Sequence, residues 1–140
     1  MTAATLSPLE TVTEYYRLID CGDLDRAFMA FSPDATVRFG ELPDLIGRDA
    51  ISAHVRSMVV PVARAISHEV VRSFTVAGPG DRTTVICEAV VTYTMLRSGN
   101  VIPHNAVTIS EVAPDGRIAA QRNVGNLGPV IEDHRQHAET

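Results

Sequence analysis

The chain contains no lysine: its 12 basic residues are all arginines. That excludes Schiff-base chemistry and lysine general bases, because a guanidinium stays protonated at working pH. Nor is there a basic cluster, and against 17 acidic residues the balance is −5. The counterion release that drives nucleic-acid binding is therefore missing. Cysteine is confined to Cys21 and Cys87, far apart and without metal-ligand spacing. They read as two buried free thiols in a reducing cytosol, with a disulfide between them as the alternative. No apolar run reaches membrane-spanning length, and residues 1–10 lack the positive region and apolar run of a signal peptide. A cytoplasmic protein that engages neither membrane nor nucleic acid is the expectation. G-x-S-x-G, a phosphate-binding glycine loop and H-E-x-x-H are absent too, so neither nucleotide cofactor nor zinc is expected.

What is present is an ordinary globular composition, 45% apolar and 21% charged over 140 residues, enough for one domain with one core. The first half has helical periodicity. Ser7-Pro8-Leu9-Glu10 has the form of a capping box, after which Leu9, Val12, Tyr16 and Ile19 recur at helical spacing with Tyr15 beside them. Cys21-Gly22-Asp23 stops this helix. A second helix buries Leu24, Ala27, Phe28 and Phe31 and ends at Ser32-Pro33-Asp34. A short strand spans 35–39, and a loop runs through Gly40, Pro43 and Gly47. The third helix starts near Asp49, with Ile51, Val55, Met58, Val59 and Val62 as its stripe, and Pro61 kinks or ends it.

The second half changes period. Residues 68–77, 83–96, 101–112 and 117–127 are rich in β-branched side chains and separated by glycine-bearing turns, which predicts a meander of long antiparallel strands. Helices followed by a curved sheet folded around them is an α+β plan. One domain over 1–131 and a polar, frayed tail over 132–140 are expected.

The segment YYRLIDCGDLDRAFMAFSPDATVRF resembles the opening of ketosteroid isomerases, limonene-type epoxide hydrolases and SnoaL-like polyketide cyclases. LIGRDAISAHV resembles the loop entering their third helix, and PDGRIAAQRNVGN their last turn and strand. This resemblance to the nuclear transport factor 2-like (cystatin-like) superfamily covers about residues 8–130. It implies a cone: a curved antiparallel sheet wrapped around three N-terminal helices, enclosing an apolar pocket. It also implies a homodimer, formed on the face where Arg122 stands. The fold carries isomerases, dehydratases, hydrolases, cyclases and binders alike.

Strand alternation sorts the residues. Ala89, Val91, Tyr93 and Met95 point into the cone, as do His104, Ala106, Thr108 and Ser110, and then Gln121, Asn123 and Gly125. Carrying the family's chemistries over, the isomerase tyrosine matches Tyr15, but its base falls at Phe39 and its oxyanion acid at Thr108. The epoxide hydrolase triad corresponds to Val91, Ala89 and Asn123, so neither chemistry is available. In the branch resembling scytalone dehydratase, His68 matches one histidine and Asp20 the aspartate. The second histidine of that branch aligns near Met95, and its asparagine falls around 106–108. An imidazole oriented by a carboxylate suits proton transfer near neutrality, against the plainer reading of a strand-edge histidine and a helix-closing aspartate.

The expectation is a cofactor-independent cyclase, isomerase or dehydratase for a hydrophobic polyketide or terpenoid intermediate, with a non-catalytic binding or dimerisation protein as the alternative. His68, Asp20 and Tyr15 are the catalytic candidates. Phe39, Met58, Val91, Tyr93, Met95, His104, Thr108, Gln121 and Asn123 are the substrate-binding ones. Gln121 and Asn123 are costly in an apolar cone unless bonded to a ligand or to each other. Asn126 contacts the pocket or caps the strand, and Glu41 and Asp44 read as solvated loop charges. His134 and His137 have helical spacing suited to a metal but stand on the polar tail, and no metal is expected.

Overall fold

The computed structural model describes residues 5–138. Helix α1 (Pro8–Asp20) starts as its capping box requires: Ser7 Oγ accepts from the Glu10 amide and Glu10 returns a carboxylate oxygen to the Ser7 amide. It ends where Gly22 takes φ of +82°. That conformation lets the Asp23 and Gly22 amides reach back to Leu18 and Ile19 carbonyls, the paired bonds of a glycine-closed helix end.

The second helix is shorter than its apolar spacing suggests. α2 covers only Leu24–Phe28, and strand β1 (Phe31–Phe39) begins where a helix end was expected. Phe31 is fully buried, as the helical reading required, but its carbonyl is taken by the Arg48 guanidinium and its neighbour Ala30 accepts from Ile118. A register irregularity between Phe31 and Thr36 accommodates Pro33, which has no amide to donate.

The remaining elements are β2 (Leu45–Ile46), α3 (Arg48–Val59), β3 (Ala63–Ala77), β4 (Thr83–Met95), β5 (Val101–Val112), β6 (Ile118–Gly125) and α4 (Gly128–Gln136). The six strands form one sheet in the order β2-β1-β6-β5-β4-β3. It is antiparallel except between β1 and β6, which run parallel, so the wholly antiparallel expectation is corrected there. Strand alternation holds as expected: Val85, Cys87, Ala89, Val91, Tyr93 and Met95 are buried while the residues between them are not. Thr108, Ser110 and Gln121 are buried on the same face, and Arg122 is exposed on the other.

Side chains of α1 and α2, including Val12, Ile19 and Phe28, fill the concave face over Val85, Cys87, Val112 and Ile118. A second cluster gathers Val62, Ile66, Val91, Tyr93 and Met95 with Val130 of α4. The polar tail expected from residue 132 is thus helical as far as Gln136; residues 139–140 lie outside the described residues. Both cysteines are free, but Cys21 is exposed at the α1 terminus, and only Cys87 is buried as expected. Among the described residues no helix is long and apolar enough to cross a membrane.

Candidate functional site

Asp20 is the last residue of α1, and β3 is the last strand of the sheet. An outward amide on such an edge has no strand to pair with. Asp20 supplies the partner. Its Oδ2 accepts the His68 backbone N–H at 2.8 Å, and its Oδ1 lies 2.6 Å from His68 Nδ1. Both side chains are sheltered, 24% and 15% exposed. The carboxylate fixes the ring's orientation and holds the proton of the neutral imidazole on Nδ1, leaving Nε2 free to accept another.

Tyr16 stands four residues before Asp20 on the same helix face. Its ring stacks on His68, with centroids 4.6 Å apart and planes 5° from parallel. Spacing alone placed Tyr16 in the core, and the sequence reading favoured Tyr15. The signal that would have found it is this Tyr16-to-Asp20 interval, once Asp20 is taken as the histidine's partner. The Tyr16 hydroxyl is buried beside Thr108 and Cys87 and completes no well-formed hydrogen bond. Burial pushes the Tyr16 and Tyr15 phenols well above the ordinary tyrosine range, so both stay protonated.

From Thr108 a chain of side chains crosses two strands. Thr108 Oγ1 donates to Asn123 Oδ1 (3.4 Å), Asn123 Nδ2 to Gln121 Oε1 (3.2 Å), and Gln121 Nε2 to Ser110 Oγ (3.0 Å). The two amides are bonded to each other, and Asn123 also reaches the cavity wall.

Thr108 and Asn123 border a cavity of about 440 Å³, within the range of small-molecule sites. Tyr15 and His68 are on its wall, with Phe39 from β1 and Met58 from α3. Val91 and Tyr93 of β4, His104 and Thr108 of β5, and Asn123 of β6 line it as expected. Asp20 stands behind His68 as the partner that orients its ring, as the resemblance implies. Two expectations are corrected. Gln121 is tied up between Ser110 and Asn123. Met95, 1% exposed, ends β4 packed with Val62 and Val130. Asn126 caps: its Oδ1 accepts from the Gly128 amide.

His104 is a wall residue beside Tyr93, with ring centroids 5.9 Å apart. Burial and the nearby His68 lower its pKa. His54, which the sequence reading passed over, also lines the cavity and stacks on Phe39 at 4.8 Å. It precedes Met58 by one helical turn, which is the pattern that could have placed it. Among the described residues no group of three or more His, Cys, Asp or Glu is gathered to hold one metal ion.

A family model for a SnoaL-like domain matches residues 12–121. No curated protein matches the chain. Among solved structures, a nuclear transport factor 2-like protein of unknown function from Burkholderia pseudomallei superposes with a TM-score of 0.72 and 16% identity, over 94% of this chain and 98% of that one. A ketosteroid isomerase-like protein from Catenulispora acidiphila, in complex with trimethylamine, gives 0.72 and 16% over 88% and 90%. OCP1 of Fremyella diplosiphon gives 0.69 and 14% over 92% of this chain, which spans 38% of that protein. At such identities the likeness is one of fold.

Proposed function

Because the chain belongs to the SnoaL-like domain family, we propose that it is a cofactor-independent enzyme that moves protons on a hydrophobic small molecule, cyclising, isomerising or dehydrating a polyketide- or terpenoid-like intermediate. The observation that supports this is the Asp20–His68 pair, set against an apolar cavity with its ring on the wall. His68 Nε2 takes a proton from a carbon next to a substrate carbonyl, and the electron pair moves onto the carbonyl oxygen. Donors at hand for that oxygen are the Tyr15 and Tyr16 hydroxyls, kept protonated by burial. The imidazolium then returns its proton to a more distant carbon (isomerisation), or to a leaving hydroxide (dehydration). In cyclisation the enolate attacks a second carbonyl and the new alkoxide takes the proton.

The test is deuterium uptake from D2O by a carbon-acid probe, 2-tetralone, followed by NMR. The native protein accelerates exchange, and His68→Ala loses about 100-fold of that acceleration. A loss of only a few-fold removes His68 as the base. The second reading is a non-catalytic binder of the same fold, favoured by Phe39, Ala89 and Val91 on the cavity wall where relatives in the superfamily carry catalytic groups. Tight binding of a host metabolite without turnover supports it. We also propose a cytoplasmic homodimer: the free thiols suit a reducing compartment, and sedimentation equilibrium decides the pairing.

A further inference from the structure

Helix α4 has nine residues and a polar composition, too little to hold a helix in water without tertiary contacts. It is held at Val130 against the sheet and at Asp133 against the turn after β4. Val130 is fully buried in the cluster with Val62, Ile66 and Val91. Asp133 is buried too: its Oδ1 accepts the Ser98 hydroxyl at 2.6 Å and its Oδ2 the Asn100 amide at 2.7 Å, both from the turn between β4 and β5. Arg97 of the same turn donates to the His134 carbonyl at 3.2 Å. A buried carboxylate is costly unless its oxygens are met, and here both are met by groups whose evident service is to hold the helix. The helix so held and its N-cap residue bring Ile131 and Leu127 to the cavity.

We propose that α4 is the specificity wall of the cavity: Leu127 and Ile131 touch the hydrocarbon end of the bound molecule, and Asp133 is the positioning residue that sets them there. This rests on the small-molecule reading of the cavity and deepens it. His68, Thr108 and Asn123 put polar groups on the cavity wall, whereas α4 and its N-cap put only aliphatic side chains there. The ligand class is accordingly a carbonyl compound with an apolar portion. α4 also lies beyond residues 12–121, the stretch shared with the family model. Ligand size can therefore be set there without disturbing Asp20 and His68.

Two measurements decide it. In a Cys21→Ser background, Val91→Cys places a thiol on the cavity wall, and native Cys87 reports opening of the core. With N-ethylmaleimide, releasing the helix by Ser98→Ala with Asn100→Ala speeds labelling at position 91 about tenfold and leaves Cys87 unchanged. Asp133→Ala acts likewise, and Asp133→Asn restores slow labelling, because the Ser98 hydroxyl keeps an acceptor and the Asn100 amide can turn. Unchanged labelling, or both thiols accelerating together, overturns the proposal. The second measurement is calorimetric binding of 4-alkylacetophenones with chains from methyl to hexyl. Ile131→Ala moves the preference toward longer chains, by about tenfold between neighbouring members, and an unmoved preference overturns the wall. Failure of every acetophenone to bind the native protein sinks the small-molecule reading instead, while the labelling still decides whether α4 is a latched wall.

Discussion

One carboxylate, that of Asp20, holds His68 at two points, its backbone amide and its ring nitrogen. Asp20→Asn keeps the shape and removes the charge, so the ring loses its fixed tautomer and the protonated imidazole its counterion. Exchange on the carbon-acid probe is expected to fall about 100-fold or more. Nitrogen-detected NMR of the His68 ring should show the change of tautomer directly. An unaltered tautomer with unaltered exchange would leave Asp20 as a helix-end residue only.

Tyr16→Phe separates packing from chemistry. The stacked ring stays, and the hydroxyl removed is one that completes no well-formed bond. Stability should change by less than about 1 kcal/mol in urea unfolding, while ligand binding or exchange drops. A destabilisation of about 2 kcal/mol or more would mean that Thr108 or Cys87 bonds the hydroxyl firmly.

His104 carries the pH dependence whose sign is clear. Burial, and then repulsion from His68, put its pKa below the ordinary 6.5. The folded state resists protonation of this ring. Its contribution to stability is fully present above 6.5 and is lost as pH falls through the lower folded value. Proton NMR titration should give a midpoint below 6.5, and His68→Asn should raise it by removing the repulsion. A midpoint that stays put in that variant would exclude coupling between the two rings.

Filling the cavity tests that it is a site and not a packing fault. Ala106 is on the wall, and Ala106→Phe places a ring into open space. Thermal stability should hold to within about 1 kcal/mol, whereas a ring forced into a packed core costs about 1–3 kcal/mol. Binding of the acetophenones should be lost.

The strands and the chemistry were legible to different degrees. Alternation along β4 and β5 put Tyr93, His104 and Thr108 on the correct face, because a period of two has only one alternative phase. Asp20 and His68 were paired through the family resemblance, since nothing in a 48-residue separation says that a helix end meets an edge strand. Phe31 misled because burial is compatible with helix and strand alike, and the contact that decides, the Arg48 guanidinium on its carbonyl, is 17 residues away. Asp133 misled in the same way: on a polar stretch it reads as solvated, and only the distant turn at Ser98 and Asn100 buries it. Gln121 pointed inward as expected, but alternation cannot say which inward positions face a void and which face a neighbour.

The parallel pairing of β1 with β6 has a consequence for the nascent chain. Phe39 and Asn123 are opposite each other in that pairing, 84 positions apart in sequence, and both border the cavity. β1 must wait for the last strand before Asn123 joins the wall beside Phe39, a long-range closure of the kind that slows folding. Ribosome-bound intermediates halted before β6 should carry α1 and the β3–β4 hairpin but lack the β1–β6 pairing.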